Sequence, residues 1–102
     1  MLKYSLIFLM TVLGVSTTLA DTFKTADGIT IDYEVSGEGE ALVMLHSGMM
    51  SREDMREQIE YFSKFYKVIA IDAREQGRSS SSSVKISYDL MASDVVGVLD
   101  QL

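Results

Sequence analysis

The chain predicts an α/β fold built on a parallel β-α-β unit, and three observations carry that expectation. Two continuous apolar runs, Ala41–Leu45 and Val68–Ile71, read as strands buried on both faces. Each ends in a polar, glycine-containing turn: His46-Ser47-Gly48 after the first, and Asp72 to Ser79 after the second. An amphipathic stretch lies between them, as a crossover between parallel strands requires. Loops at the carboxyl ends of such strands are where function is expected.

Taken in order, residues 1–20 read as a secretory signal. Lys3 supplies the positive start, Leu6–Val15 the apolar core, and Thr18-Leu19-Ala20 the small residues before a cleavage point. The apolar run is shorter than the about 20 residues of a membrane span. The expectation is therefore an exported chain, periplasmic or secreted, that meets a membrane only during export, with an uncleaved amino-terminal anchor as the alternative. Residues 21–102 remain, enough for one small core. Within them, Thr22–Thr25 and Ile29–Val35 flank Asp27-Gly28, a hairpin signal. Ile29, Ile31, Tyr33 and Val35 are expected to face a core, with Thr30, Asp32 and Glu34 in water. Ser36–Glu40 holds two glycines but precedes a strand, so it reads as a turn and not a phosphate cradle.

After Leu45, Ser51 offers a helix cap with Asp54 as a short capping box. Met55, Ile59 and Phe62 form an apolar stripe. Glu53, Arg56, Glu57, Glu60 and Lys64 read as a solvated face with Arg56–Glu60 and Glu60–Lys64 pairs, not as a metal site. The strand Tyr66–Ile71 follows, and the serine run Ser79–Ser83 reads as a flexible surface connection. A last helix begins near Ser87. Its stripe is Tyr88, Ala92, Val95, Leu99 and Leu102, with Asp89, Ser93, Asp94 and Asp100 outside it. That periodicity runs to the final residue with no cap behind it, so an incomplete domain is expected.

Composition narrows the function classes. The 102 residues carry a formal charge of −6 and no basic cluster, which excludes nucleic acid and anionic membrane surfaces as partners. There is no cysteine, so neither a disulfide framework nor a lipidated-cysteine anchor is present. A hydrophobic content of 47% belongs to a folded chain and not a disordered one.

In order and spacing, the two turns resemble the amino-terminal third of α/β-hydrolase-fold enzymes, across residues 23–102. In that family a strand like Ala41–Leu45 ends in a His-Gly turn, and a backbone N–H just beyond it forms half of an oxyanion hole. The resemblance places that donor at Gly48 first and Met49 second, with Ser47 where glycine is usual. Asp72-Ala73-Arg74-Glu75-Gln76-Gly77-Arg78-Ser79 is similar to the family's Asp-x-Arg-Gly-x-Gly-x-Ser loop. By that likeness Asp72, Arg74, Gly77 and Ser79 are structural. Glu75 replaces a glycine, at a cost of about 1 kcal/mol if the position is left-handed. His46 is expected to be a packed histidine hydrogen-bonded to backbone, since the family's catalytic histidine comes far later in the chain.

The resemblance implies a serine-type hydrolase of ester, amide or related bonds, acting on a small-molecule substrate without cofactor or metal. No Gly-x-Ser-x-Gly elbow occurs here and His46 is the single histidine, so no catalytic side chain is assigned within the 102 residues. Ser47 as nucleophile is disfavoured: Leu45 and Met49 stand where an elbow needs glycines, and no second histidine can activate it. The family's strand order places Ala41–Leu45 between Tyr66–Ile71 and a strand after Leu102, with the two helices on opposite faces. The alternative reading is a non-catalytic remnant or a small exported binding protein. Oligomeric state is not legible.

Overall fold

The computed structural model describes residues 18–81 and 83–102; the expected signal core, Leu6–Val15, lies outside the described residues. One sheet holds β1 (Thr18–Lys24), β2 (Thr30–Ser36), β3 (Ala41–Leu45) and β4 (Lys67–Ile71) in the order β1-β2-β4-β3. A 3-10 turn, Arg52–Met55, leads into α1 (Arg56–Phe62) between β3 and β4, and α2 (Tyr88–Gln101) follows β4. The β3–β4 pair is parallel, with Val43 opposite Ile69. The hairpin joins the other side of β4 through antiparallel pairing of β2, Tyr33 opposite Ile71.

The hairpin forms where Asp27-Gly28 predicts it. Gly28 takes φ +84°, and Gly28 N–H donates to Thr25 O at 3.0 Å. β1 starts at Thr18, so the three residues before the expected cleavage point are strand residues, with Thr18 opposite Ser36.

The helices cover opposite faces, as expected. Ile29, Ile31, Tyr33, Ile69, Ile71 and Val98 make one core beneath α2, with Val43 packed against it. Ile59, Val68 and Ala70 make the other beneath α1, with Leu42, Met44, Met55 and Phe62 around them. Successive β3 side chains therefore serve both layers, which is why that strand reads as a continuous apolar run. Its burial is only partial, because β3 pairs with β4 alone among the described residues.

Four expectations need correction. Asp32 and Glu34 do not face water: Glu34 is 3% exposed, because the arginines opening the first helical segment lie over this face of β2. Arg56 pairs with Glu34 and Glu53 instead of Glu60, since a fixed bidentate carboxylate on the sheet outcompetes a mobile one along the helix. The serine run is not a free connection at its start. Ser79 Oγ donates to Asp72 O at 2.6 Å and accepts from Asp32 N–H at 2.8 Å, while Ser80 exchanges backbone and side-chain bonds with Thr30. Finally, the buried stripe of α2 is rotated from the expected one. Asp94 and Val98 are buried, whereas Tyr88 is 91% exposed and Leu99 and Leu102 face outward.

The capping box appears as read. Ser51 Oγ accepts from Glu53 N–H, and Asp54 Oδ2 accepts from Ser51 N–H at 2.9 Å.

Candidate functional site

Parallel β3 and β4 end side by side, so the turns that leave them are neighbours, and three bonds tie those turns together. His46 Nε2 accepts from Ala73 N–H at 3.0 Å, Gln76 Oε1 accepts from Met50 N–H at 3.2 Å, and Asp72 Oδ1 accepts from Arg52 N–H at 2.8 Å. His46 Nδ1 lies 2.7 Å from Ser47 O, which makes Nδ1 the protonated ring nitrogen. Both nitrogens are thus occupied by backbone, and the ring has no free position from which to take a proton from Ser47. The Ser47 hydroxyl itself donates to Met50 Sδ at 3.2 Å.

Ser47 to Met50 is a four-residue turn closed by Met50 N–H to Ser47 O at 3.2 Å. Met49, third in the turn, has φ +62°, where a type II turn places a left-handed residue. Gly48 has ordinary φ, and nothing lies within 4 Å of where its Cβ would be. The conformational demand of the turn thus falls on Met49, not on the glycine. Among the described residues the N–H groups of Ser47, Gly48 and Met49 donate to nothing. Unpaired N–H groups on one short turn at the end of a parallel strand can receive a developing oxyanion.

The second turn is held from inside. Asp72, 1% exposed, accepts from Arg52 N–H and, at 2.9 Å, from Arg78 N–H. Gly77 has φ +54°, and a Cβ there would stand 2.5 Å from the Asp72 carboxyl carbon. Glu75 is left-handed at φ +67°, the conformation that makes its replacement of glycine costly. Arg74 is fully buried: Nε and Nη2 donate to Asp94 at 2.7 and 2.8 Å, and Nη1 donates to Asp27 at 2.9 Å. It joins the loop to α2 and to the hairpin. These hydrogen bonds raise its pKa, Asp94 contributing most, and hold Asp27 down to about 2.

Arg52, which sequence reasoning missed, lies buried against three carboxylates. Nη1 pairs with Asp32 and, at 3.4 Å, with Asp72, while Nε is 2.9 Å from Glu34 Oε1 but misaligned for a hydrogen bond. Bonding to Arg56 lowers the Glu34 pKa, and bonding to Arg56 and Arg78 lowers that of Glu53. Alternation alone gave Asp32 and Glu34 to solvent, and only knowledge of what crosses that face could have moved them. Gln76 was missed because its partner, Met50 N–H, is 26 residues away on the other turn. A cavity of about 290 Å³ lies beside the two turns, between β3, the loop after β4, and α2. Leu45, Ile71, Met91 and Val95 give it apolar walls, with His46 and Arg74 at its polar side.

Fold and turns together define one end of an α/β sheet covered on both faces, with a turn whose N–H groups are unpaired among the described residues. No family model matches the chain. It is 40% identical over 63 residues to (E)-2-((N-methylformamido)methylene)succinate hydrolase of Acinetobacter baylyi, a match covering 62% of this chain and 24% of that enzyme. Non-heme chloroperoxidase of Streptomyces lividans is 36% identical over 84 residues, 79% of this chain and 30% of its own. The esterase EaEST of Exiguobacterium antarcticum superposes with a TM-score of 0.76 at 28% identity, over 81% of this chain and 31% of that one. The chain is similar in sequence and fold to α/β-hydrolases, and it spans about a quarter to a third of the length of these relatives.

Proposed function

We propose that residues 21–102 supply the oxyanion strand and turn of an exported serine-type hydrolase acting on ester, amide or related bonds of a small molecule. Residues 1–20 are its signal, and the nucleophile, acid and catalytic histidine belong to sequence outside these 102 residues. The observation that carries this reading is the turn after β3: N–H groups of Gly48 and Met49 that are unpaired among the described residues, on a turn braced by His46–Ala73, Met50–Gln76 and Arg52–Asp72. Donors that are already oriented need no reorganisation as charge develops on a carbonyl oxygen. The fold does not choose the substrate, since one fold hosts several chemistries.

The test joins residues 21–102 to the complementary part of the Exiguobacterium antarcticum esterase and assays an activated ester. The chimera should turn over. Gly48→Pro then removes one N–H at the second position of the turn, where type II turns accommodate proline. It should lower kcat by about 100- to 1,000-fold with KM little changed. A folded but inactive chimera overturns the hydrolase reading, and an unaffected kcat in Gly48→Pro removes Gly48 as donor. The chain alone should not hydrolyse the ester; turnover that disappears in Ser47→Ala would make Ser47 a nucleophile. Export is tested by mass spectrometry of the mature protein, which should begin at Asp21 and retain Asp21–Lys24 of β1. An exported chain still beginning at Met1 contradicts it.

A further inference from the structure

We propose that Gln76 is a positioning residue for the Ser47–Met50 turn, acting through the Met50 backbone N–H. The proposal deepens the oxyanion reading and rests on it. The turn is thinly held by its own bonds. Its closing hydrogen bond is 3.2 Å long, its serine hydroxyl is directed at a thioether, and Met49 sits in the left-handed region without being glycine. Opening the turn would relieve Met49, and it would also scatter the N–H groups that a developing oxyanion needs.

Gln76 Oε1 supplies a second acceptor for Met50 N–H, also at 3.2 Å, so that this proton is shared between the turn and the neighbouring loop. A brace is useful only if it is itself fixed. Gln76 N–H donates to Ala73 O at 3.0 Å, and Gln76 O accepts from Ser79 N–H at 3.0 Å. Glu75, immediately before it, donates its N–H to Ser80 O at 2.9 Å, and the Ser79 hydroxyl is locked between Asp72 O and Asp32 N–H. The side chain therefore reaches the turn from a loop rooted in the sheet. His46 anchors the turn's entry on Ala73 N–H, and Asp72 anchors Arg52 beyond its exit. Among the described residues, Gln76 is the one bond from outside that reaches the turn between those anchors. Because an N–H must face it, the amide oxygen is the atom required there, which glutamate can replace and methionine cannot.

The test is hydrogen–deuterium exchange of the full chain at low micromolar concentration, resolved to single residues by fragmentation. In the unaltered chain, Met50 should exchange more slowly than Gly48 and Met49; equal exchange of the three overturns the proposal without any variant. Gln76→Met should accelerate Met50 by roughly five- to tenfold, with the amides of Ala73 and Arg52 unchanged, and Gln76→Glu should restore the slow rate. Unchanged Met50 exchange in Gln76→Met overturns the proposal. So does equal acceleration of Ala73 and Arg52, which would mark a general structural role, or failure of Gln76→Glu to rescue. None of these readouts depends on turnover. An inactive chimera whose Met50 protection still depends on Gln76 overturns the hydrolase reading alone.

Discussion

A methyl group added at Gly77 would meet the Asp72 carboxylate at 2.5 Å, and that carboxylate cannot step aside. It is held by Arg52 N–H and Arg78 N–H, in a site that is 1% exposed. Gly77→Ala combines this clash with an unfavourable left-handed φ, so it should cost about 2–4 kcal/mol in urea unfolding. An effect within 0.5 kcal/mol, the range of ordinary surface changes, would show that the loop yields. The same loop sets a pH dependence through Asp27, whose carboxyl is held at about 2 by its Arg74 hydrogen bond and, less, by Thr25. A depressed carboxylate stabilises the fold fully above its ordinary value of 3.8, and that contribution fades as pH falls from there through about 2. Asp27→Asn keeps the Asn-Gly turn chemistry but removes this titration. Its unfolding free energy should change less than that of the unaltered chain between pH 5 and 2; parallel profiles would remove Asp27 from the acid response. The Asp27-Gly28 turn was legible because turns demand particular residue types, and Gly77 was marked as structural by the resemblance alone. Arg74's partners were not, because they come from the hairpin and from α2, 47 and 20 residues away.

At the scale of elements, periodicity and caps announced both helices and all four strands, β1 only from Thr22 onward, while the placement of the helices on opposite faces came from the strand order that the resemblance implies. What periodicity could not supply was rotation about the axis of α2. Counting apolar residues put Tyr88 and Leu99 inside, whereas Arg74 rising from the sheet draws Asp94 inward and turns the helix to suit. The close approach that results is marked by Gly97, where a Cβ would stand 2.3 Å from Phe23 Cε2 of β1. Gln101 completes the contact, its amide donating to Thr22 O at 2.9 Å and to Tyr33 Oη at 2.7 Å. Gly97→Ala sets two effects against each other. Helix propensity favours alanine by about 1 kcal/mol, whereas forcing the ring or the helix to move costs about 1–3 kcal/mol. The clash should win, giving net destabilisation in denaturant unfolding. In a Phe23→Ala background the same substitution should become stabilising by up to about 1 kcal/mol, a coupling that a double-mutant cycle reads directly. A Gly97→Ala chain as stable as the original would mean that α2 does not rest on Phe23.

At the scale of the whole molecule, the sheet formed by the described residues has two unlike edges. β1 at one edge is almost entirely exposed along its length but carries Asp21 and Lys24, and its far side is partly covered by α2 through Phe23 and Gln101. β3 at the other edge is Ala-Leu-Val-Met-Leu, with no charge and no proline, and its free N–H and C=O groups face away from β4 among the described residues. Leu45 is 58% exposed at its end, and the cavity beside it is walled by apolar side chains. A flat apolar edge is a template for another strand. A net charge of −6 opposes association at long range, but its reach in 0.15 M salt is only about 8 Å, so it slows encounter without protecting an edge once two copies touch. The expected behaviour is concentration-dependent self-association of the chain on its own, beginning at β3. Ala41 and Leu45 are the exposed positions at the two ends of that strand, outside both buried cores. Ala41→Lys with Leu45→Lys therefore adds charge to the edge without opening either core, and it should shift sedimentation from oligomers toward monomer at equal concentration. The unfolding midpoint extrapolated to low concentration should stay near that of the unaltered chain. Lysines placed instead on exposed residues of β1, at Asp21 and Thr22, should have little effect on association. If those β1 substitutions suppress it as well as the β3 pair does, the contact is general and not templated, and the open edge of β3 is not where copies of this chain meet.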